Sequence, residues 1–472
     1  MTPRQQQENP TGENSVKREY QKPRIRPHIE GPMNKFGSPT GSHKDSIDGI
    51  KVDTLIKEFG SPLFVFSERA IREKYRQAVG DFSHKYSQVQ FSWSYKTNYL
   101  DAICRIFHQE GSWAEVVSLF EYEKALKLGV PGDKIIFNGP YKPYEALKLA
   151  VKMQSKINVD NMEEIFNLEK LATEISKPID LGIRVNLDAG IYPAWTRFGF
   201  NLENKAAYSA VAKMHSTGKL RLRGLHCHLG TFILEPKAYK TAIQKLALFA
   251  KKLRDDFAIK IEYIDIGGGF PSTNTLHTQY LPGSQTNPGI DKFAEMISEE
   301  LLVRTDCFSS PPLLILETGR ALIDEAGYLI SSVVGTKRLT DGTQSLTLDA
   351  GVNLLFTSTW YKYNITPAQP HSDFLENTVI FGPLCMNIDI VRPLIQFPAL
   401  SPGEQVVIHP VGAYNVTQWM QFIQYRPAIV LIDEQGKTHQ IRAKENLEYM
   451  TMLESIPEHL QEKKQNSKTK KK

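Results

Sequence analysis

Four polar groups in this 472-residue chain each follow a strand-like apolar run. Lys96 follows the first run, a histidine pair ending at His228 follows the sixth, Gly267-Gly268-Gly269 follows the seventh and Glu317 follows the eighth. A lysine amine condenses with an aldehyde only when it is neutral, and a strand-end site can depress its pKa. A single strand-end lysine is usually a solvated surface residue, so the prediction depends on the other three groups.

The triple glycine predicts an anion site. It ends the run Ile264-Asp265-Ile266 in a turn without side chains, so several backbone N–H groups can approach a phosphate. Arg320 would add a charge-assisted contact to the same anion. A flexible turn is the alternative interpretation of the glycines.

Glu317 closes the apolar run Leu313-Leu314-Ile315-Leu316, where a carboxylate is costly unless it has a partner. A protonated pyridine nitrogen would be such a partner. That pairing lets the ring accept electron density when a bond at a substrate α-carbon breaks. An internal ion pair with Arg320 is the alternative.

His226 and His228 point to the same face of their strand, because side chains alternate along a strand. One of them could lie against a flat aromatic ring. The pair could instead bind a metal, although no suitable third ligand is evident nearby, and His226 could be structural. Together with the lysine, the glycines and the glutamate, this pair suits a bound pyridoxal 5′-phosphate (PLP).

The elements that carry these groups alternate between strand and helix. Segments with helical periodicity separate the eight strand-like runs, and this pattern predicts a (β/α)₈ barrel with its active site at the strand ends. An open doubly wound sheet is the alternative. The barrel is favoured because it gathers all four polar groups around one mouth. The strand-like runs are 89–95, 113–117, 134–138, 157–160, 181–186, 222–228, 261–266 and 313–317.

From about Gly327 onward strand-like runs dominate, which predicts a C-terminal β domain. The short run 62–66 before the barrel would add one more strand to it. The predicted organisation is a disordered tail over 1–45, a segment of the β domain over 46–68, the PLP-binding barrel over 69–322, the C-terminal β domain over 323–458 and a basic disordered tail over 459–472.

Composition favours a soluble globular protein, with 41% hydrophobic and 23% charged residues and no apolar run near the roughly 20 residues that span a bilayer. No membrane association is therefore expected. The net charge of +5 comes partly from the basic C-terminal end, for which a solvated tail is favoured over contact with nucleic acid or acidic lipid. The four cysteines are scattered, which predicts a reducing, cytoplasmic location.

Over about residues 50–455 the chain resembles the fold-type III PLP-dependent decarboxylases and, within them, the diaminopimelate decarboxylases. The fold that this implies is an α/β chain with a TIM-like, alanine-racemase-like (β/α)₈ barrel plus a C-terminal β-sandwich or β-barrel domain. The matching motifs are Tyr95-Lys96-Thr97-Asn98, Glu115-Val116-Val117-Ser118, His226-Cys227-His228-Leu229-Gly230-Thr231, Gly267-Gly268-Gly269-Phe270, Glu317-Thr318-Gly319-Arg320, Asp349-Ala350-Gly351, Gly382-Pro383-Leu384-Cys385 and Gly412-Ala413-Tyr414.

The resemblance implies a role for each matched residue. It also implies a head-to-tail homodimer with shared active sites and a small-molecule amino-acid substrate. The implied roles are Lys96 as the Schiff-base lysine, His228 stacked on the ring, Glu317 at the pyridine nitrogen, Gly267, Gly268, Gly269 and Arg320 at the phosphate, Tyr414 on the cofactor, and Cys385 as the thiol that enters the partner's site and acts in protonation.

Two positions depart from the diaminopimelate decarboxylase pattern. Thr357 stands where those enzymes have an arginine for the distal carboxylate of the substrate, and Met386 stands where they have a glutamate for the distal amino group. A carboxylate without its arginine partner loses about 2–5 kcal/mol of binding free energy. Arg320 and Tyr361 remain as polar substrate contacts in a pocket that Phe232, Trp360 and Trp419 make less polar.

These departures predict an amino-acid decarboxylase with an altered substrate. The alternatives are a genuine meso-diaminopimelate decarboxylase of lysine biosynthesis and a noncatalytic PLP-binding homologue. An alanine-racemase-like enzyme is disfavoured, because such enzymes place arginine at the pyridine nitrogen where this chain has Glu317.

Overall fold

The computed structural model describes residues 42–190, 195–371 and 374–461. The predicted basic tail from residue 462 onward and the first 41 residues of the predicted N-terminal tail lie outside the described residues. Within the described parts of the chain, no helix combines the length and the apolar composition needed to cross a bilayer.

Eight parallel strands of the described chain form a closed barrel. The first strand pairs with the second and so on around the ring, and the eighth closes it by pairing with the first, with Leu316 opposite Phe91. The predicted barrel is confirmed, and the open sheet is excluded by this closure. The barrel strands, in order, are Val89–Ser94, Trp113–Val116, Ile135–Phe137, Lys156–Val159, Ile179–Asn186, Leu220–His226, Tyr263–Asp265 and Leu313–Leu316.

Helices connect successive barrel strands, and side-chain caps fix where several of them begin. Ser118 Oγ accepts from Glu121 N–H at 3.2 Å, and Asn161 Oδ1 accepts from Glu164 N–H at 3.1 Å. The helices around the barrel are Glu68–Ser83, Asp101–Gln109, Leu119–Lys127, Tyr144–Lys152, Met162–Glu174, Ala206–Thr217, Lys237–Phe257, Gly283–Thr286, Ile290–Val303 and Arg320–Ile323.

The predicted C-terminal β domain is also confirmed. Leu63–Ser67, which precedes the barrel, pairs antiparallel with Gly327–Arg338 and parallel with Ala428–Ile432 in this second sheet. Its other strands are Gln344–Leu348, Asn364–Pro367, Glu376–Phe381, Ile390–Phe397, Gln405–His409 and Thr438–Arg442. Smaller elements are the strands Ser46–Ile47, Ile50–Lys51 and Phe200–Asn201 and the helices Val52–Phe59 and Leu447–Thr451.

Aromatic packing behind the first barrel strand fixes the turn that follows it. Trp93 and Phe107 are fully buried and stack with ring centroids 3.8 Å apart. Burial of two such rings stabilises the fold by several kcal/mol, roughly 2–3 kcal/mol each. Trp93 also donates its indole N–H to Asn98 O at 3.2 Å, so the strand and the turn after it are held together.

Candidate active site

Lys96 lies in a short 3₁₀ turn, Tyr95–Thr97, at the C-terminal end of the first barrel strand. The β domain holds this turn from the other side. Tyr414 N–H donates to Thr97 O at 2.9 Å, and Thr417 Oγ1 donates to Lys96 O at 2.8 Å. The lysine backbone is therefore fixed at the junction of the barrel and the second sheet.

The Lys96 amine is paired with Glu115, which lies on the second barrel strand and is 1% exposed. Lys96 Nζ donates to Glu115 Oε2 at 2.6 Å, and Ser94 Oγ donates to the same oxygen at 2.6 Å. Burial lowers the pKa of the amine, but Glu115 outweighs burial and, with Tyr414 and Glu317, raises that pKa above its ordinary value. The expectation that the barrel mouth depresses this pKa is therefore wrong for the protein without its cofactor.

Glu317 lies directly after the eighth barrel strand and is buried. Asn138 Nδ2 donates to its Oε1, and His226 Nε2 lies 3.4 Å from its Oε2. Burial raises the pKa of Glu317, but the neighbouring His226 and Lys96 outweigh burial and hold this pKa well below the usual range. The carboxylate is thus ionised at neutral pH, as a partner of a protonated pyridine nitrogen must be.

Arg320 does not form the alternative ion pair with Glu317. Its Nη1 lies 3.5 Å from Asp324 Oδ2, and its guanidinium carbon lies 4.9 Å from the ring centre of Tyr361 and 4.8 Å from that of Tyr414. Nη1 is buried and has no hydrogen-bond acceptor among the described residues. Burial lowers the pKa of Arg320, but Tyr361 and Asp324 outweigh burial and raise it, so the group is a permanent cation.

The glycine turn has no room for side chains. Gly267 and Gly269 have φ of 67° and 98°, and a Cβ on Gly268 would lie 2.4 Å from Glu317 O. Two of the three N–H groups predicted to face a phosphate already have protein acceptors, since Gly267 N–H donates to Asp265 Oδ1 and Gly268 N–H to His228 Nδ1. The turn therefore supplies a close, side-chain-free wall, with fewer free N–H donors than the sequence predicts.

His228 presents a neutral imidazole to the cavity. Its Nδ1 accepts from Gly268 N–H at 3.2 Å, which fixes the proton of the neutral ring on Nε2. Burial lowers the pKa of His228 to about 3, and the charges on Arg184 and Lys96 act in the same direction. A flat, uncharged ring is suited to lie against the face of an aromatic cofactor.

His226 belongs to a buried cluster with Asp265 and Glu317, in which one possible ligand atom from each residue lies within 4.8 Å of the others. Two acids thus lie near His226, but His228 is not part of this cluster. Hydrogen bonds from Asn138 to Glu317 and from Gly267 to Asp265 engage both carboxyls. The cluster is the polar floor beneath Lys96.

These groups surround a cavity of about 490 Å³ at the barrel mouth, which a second cavity of about 210 Å³ adjoins toward the barrel interior. The two cavities share Lys96, His228 and Glu317 in their walls, together with Trp195, which the sequence does not single out. The predicted site residues that line the larger cavity are Lys96, His228, Gly268, Gly269, Glu317, Arg320, Tyr361 and Tyr414.

Four predicted site residues do not line this cavity, among them Gly267, the first residue of the glycine turn. Thr357 is 1% exposed, and its hydroxyl is bonded to Tyr363 OH and Asn415 Oδ1 and not directed to the cavity. Met386 and the exposed Cys385 lie on the loop after strand Glu376–Phe381 and do not line the cavity of their own chain. Phe232 and Trp360 do line it, whereas Trp419 does not.

Sequence reasoning missed Glu115 and Asp265 as partners of the predicted residues. Both close barrel strands, the second and the seventh, as Glu317 closes the eighth. An acid at the carboxyl end of a barrel strand was the available signal, because these ends converge on the active site. Asn138 follows the third strand in the same way.

The residues present fit PLP. An amine, an ionised buried carboxylate and a neutral imidazole line adjoining cavities, and the buried Nη1 of Arg320 lacks an acceptor. A phosphate would satisfy that cation, and the glycine turn leaves the close approach open. Lys96, His228, Glu317 and Arg320 with the turn would therefore hold the cofactor.

A (β/α)₈ barrel with these residues at its mouth is the arrangement expected of a PLP-dependent decarboxylase. The family model described as "Pyridoxal-dependent decarboxylase, pyridoxal binding domain" matches residues 68–324, and the chain belongs to this family. It is a PLP-dependent carboxy-lyase, with pyridoxal 5′-phosphate as its cofactor.

Known relatives are similar over most of their length. A diaminopimelate decarboxylase from Methanothermobacter thermautotrophicus is 28% identical over 427 residues, which are 88% of this chain and 96% of that protein. The corresponding enzyme from Bacillus subtilis is 27% identical over 86% of this chain and 94% of its own. The crystal structure of diaminopimelate decarboxylase from M. jannaschii matches with a TM-score of 0.81 at 26% identity, covering 89% of this chain and 99% of that one.

Proposed function

We propose that this enzyme decarboxylates an amino acid other than meso-diaminopimelate. One observation carries the proposal. Among the described residues that line the larger cavity Glu317 is the one acid, and the cofactor's ring nitrogen is its proposed partner. A substrate with a distal ammonium would find no carboxylate from this chain, and an unpaired buried charge is costly.

The aromatic part of the cavity wall supports this proposal. Phe232 and Tyr361 pack with ring centroids 5.1 Å apart, and Arg320 lies over both rings. Trp360 adds a further aromatic side chain to the cavity lining. This wall offers aromatic surface and one cation, which suits a side chain that ends in an apolar, neutral polar or anionic group.

The proposed reaction uses each charged group in turn. When bound, PLP supplies an aldehyde that joins the substrate amine and a ring that accepts the electrons left when CO₂ departs. Lys96 Nζ must first lose a proton, and Glu115 Oε2 is the acceptor at hydrogen-bond distance. Glu317 stays ionised and so keeps a proton on the ring nitrogen. Arg320 would hold the phosphate of the cofactor, and the neutral His228 would lie against the face of the cofactor ring.

We also propose a homodimer with shared active sites, in which Cys385 returns a proton to the α-carbon in the site of the other subunit. The Cys385 loop is held in shape by the buried Asp389, which accepts from Leu384 N–H at 2.7 Å and Val352 N–H at 2.8 Å. Nearby in sequence, Ile388 is 65% exposed. A rigid loop with an exposed thiol and exposed apolar side chains suits insertion into a partner.

A reducing, cytoplasmic compartment is proposed for the enzyme. Cys104, Cys227 and Cys307 are buried and unpaired in the structure, and the exposed Cys385 must be a free thiol to act in proton transfer. Such thiols persist where the surroundings are reducing. Measuring activity with and without a thiol reductant tests this requirement.

The substrate proposal is tested by measuring CO₂ release from a panel of amino acids and their conjugates with added PLP. Lys96→Ala, which lacks the amine proposed to hold PLP, is the negative control. We expect meso-diaminopimelate to be a poor substrate and a compound without a distal ammonium to be preferred. Met386→Glu, which adds an acid to the loop that enters the partner's site, should raise the relative rate with diaminopimelate.

The second candidate is a genuine meso-diaminopimelate decarboxylase, and the names of the similar proteins favour it. Turnover of meso-diaminopimelate at an ordinary enzymatic rate, with kcat/KM above that of every other compound tested, would establish this second candidate. A noncatalytic homologue would bind PLP at Lys96 and release CO₂ from none of the compounds.

A further inference from the structure

Asp265 has the surroundings of an acid that carries a proton. It closes the seventh barrel strand and is fully buried. Its Oδ1 accepts from Gly267 N–H at 2.9 Å, whereas no donor among the described residues reaches its Oδ2. Its carboxyl lies in the same 4.8 Å cluster as that of Glu317. Two buried carboxylates this close repel each other, which favours a proton on one of them.

The partners of the two carboxyls decide which one keeps this proton. Glu317 has the amide of Asn138 on Oε1 and the imidazole of His226 at 3.4 Å from Oε2, so a polar group faces each of its oxygens. Asp265 has one backbone N–H. In agreement with this difference, burial and the charge on Glu317 raise the pKa of Asp265 well above its usual range.

We infer that Asp265 is a positioning residue that donates a hydrogen bond from its protonated Oδ2 side to Glu317 while its Oδ1 holds the glycine turn. This side chain would then connect the two ends of the cofactor site. Glu317 is the partner proposed for the ring nitrogen, and the turn that begins at Gly267 is the wall proposed for the phosphate. A shift of Asp265 would therefore move both.

Other titratable groups face this pair from the neighbouring strands. They lie at strand ends around the same floor and act on one or both carboxyls. These groups are Lys96 after the first strand, Glu115 on the second, His226 on the sixth, Cys227 and His228 directly after the sixth, and Tyr263 on the seventh. None of them donates a hydrogen bond to Asp265 Oδ2.

If Asp265 is a neutral hydrogen-bond donor, its replacement by asparagine and by alanine should have different effects. If Asp265 acts through a negative charge, the two replacements should have the same effect. Asp265→Asn keeps an oxygen for Gly267 N–H and provides an N–H for Glu317, so it reproduces the neutral donor. Asp265→Ala removes both contacts. If Asp265 acted as an anion, or as a ligand of a metal ion, the asparagine variant would fail as the alanine variant does.

The test measures the dissociation constant of PLP by absorbance titration of the cofactor-free protein. We expect Asp265→Asn to remain within about threefold of the wild type and Asp265→Ala to bind about tenfold more weakly or worse, because it loses hydrogen bonds to a buried charge and a buried N–H. Equal losses in the two variants, or wild-type affinity in the alanine variant, would overturn the inference.

Infrared spectroscopy gives a second readout that does not require the alanine variant to fold. The spectrum of the cofactor-free wild type minus that of Asp265→Asn at neutral pH should show the C=O stretch of a protonated carboxylic acid. Carboxyls such as Glu121, whose pKa burial raises to about 7, are common to both proteins and cancel. An identical band in both proteins, or its absence from the wild type, would show that the proton is not on Asp265.

Discussion

Lys96 Nζ and Glu115 Oε2 lie 2.6 Å apart, so the amine at the centre of the proposed chemistry is an ammonium held by a buried carboxylate. In the cofactor-free protein this pairing gives the buried Glu115 carboxylate a partner of opposite charge. It also places an acceptor for the lysine proton next to the amine. Reaction of Lys96 with an aldehyde therefore begins with a proton shift inside this ion pair.

Replacing this carboxylate should make Lys96 react at lower pH. Glu115→Gln removes the charge that raises the pKa of the amine, so that pKa should fall by about one unit or more. The measurement is borohydride trapping with PLP across a pH series, followed by mass spectrometry of the pyridoxyl adduct on Lys96. Lys96→Ala should give no adduct, and an unchanged pH midpoint would contradict this role of Glu115.

The sequence predicted the residues at strand ends and missed the pairings between strands. Lys96, His228 and Glu317 could be predicted from the sequence because each ends an apolar run, and a closed barrel brings such ends together. The contact of Lys96 with Glu115 depends on how far neighbouring strands are staggered, and no local pattern encodes that stagger. The Lys96 pKa was consequently expected to move in the wrong direction.

Thr357 shows a different limit of prediction. It lies in a 3₁₀ turn, Phe356–Thr359, within an irregular stretch where no periodicity fixes the side-chain direction. The resemblance predicts that this position departs from an arginine pattern, but only the packing of Tyr363 and Asn415 shows where the hydroxyl points.

Removing the Thr357 hydroxyl should affect stability more than substrate binding. Thr357→Val keeps the volume but leaves Tyr363 and Asn415 each with one partner fewer, at a cost of about 1–2 kcal/mol in the free energy of unfolding. Chemical unfolding and the KM of the preferred substrate are the two measurements. A raised KM with unchanged stability would instead place Thr357 in the substrate site.

The close fit of the glycine turn can be tested with two matched substitutions. In Gly268→Ala the new Cβ would lie 2.4 Å from Glu317 O, so the end of the eighth strand must shift and PLP affinity should fall about tenfold or more. The control, Gly80→Ala, lies within helix Glu68–Ser83 with its nearest contact at 3.9 Å and should stabilise the protein by about 0.5–1 kcal/mol. Equal PLP affinity in both variants would show that the turn can accommodate a Cβ at position 268.

His228 should make the cofactor-free protein sensitive to mild acid. Its folded-state pKa of about 3 lies below the roughly 6.5 of an unfolded histidine, so its contribution to stability is present above pH 6.5 and is lost as the pH falls toward 3. Between pH 7 and pH 5 the wild type should lose about 1–2 kcal/mol more unfolding free energy than His228→Asn, allowing for partial exposure of the ring. Other titrating groups are common to both proteins and cancel in the difference. Parallel pH profiles of the two would show that the imidazole is not held neutral.

Shared active sites predict that two inactive proteins restore activity when they are mixed. Lys96→Ala lacks the amine that holds the cofactor, and Cys385→Ala lacks the thiol proposed to reach the site of the other subunit. After dissociation and reassociation, about half of the dimers should be mixed, with one intact site each, giving about a quarter of wild-type activity. Cys385→Ala alone should still form the PLP adduct on Lys96. If Lys96 and Cys385 of one subunit formed the same site, every site in a mixed dimer would still lack one of the two residues. Activity that stays at the level of the two separate variants would therefore assign both residues to the same subunit's site.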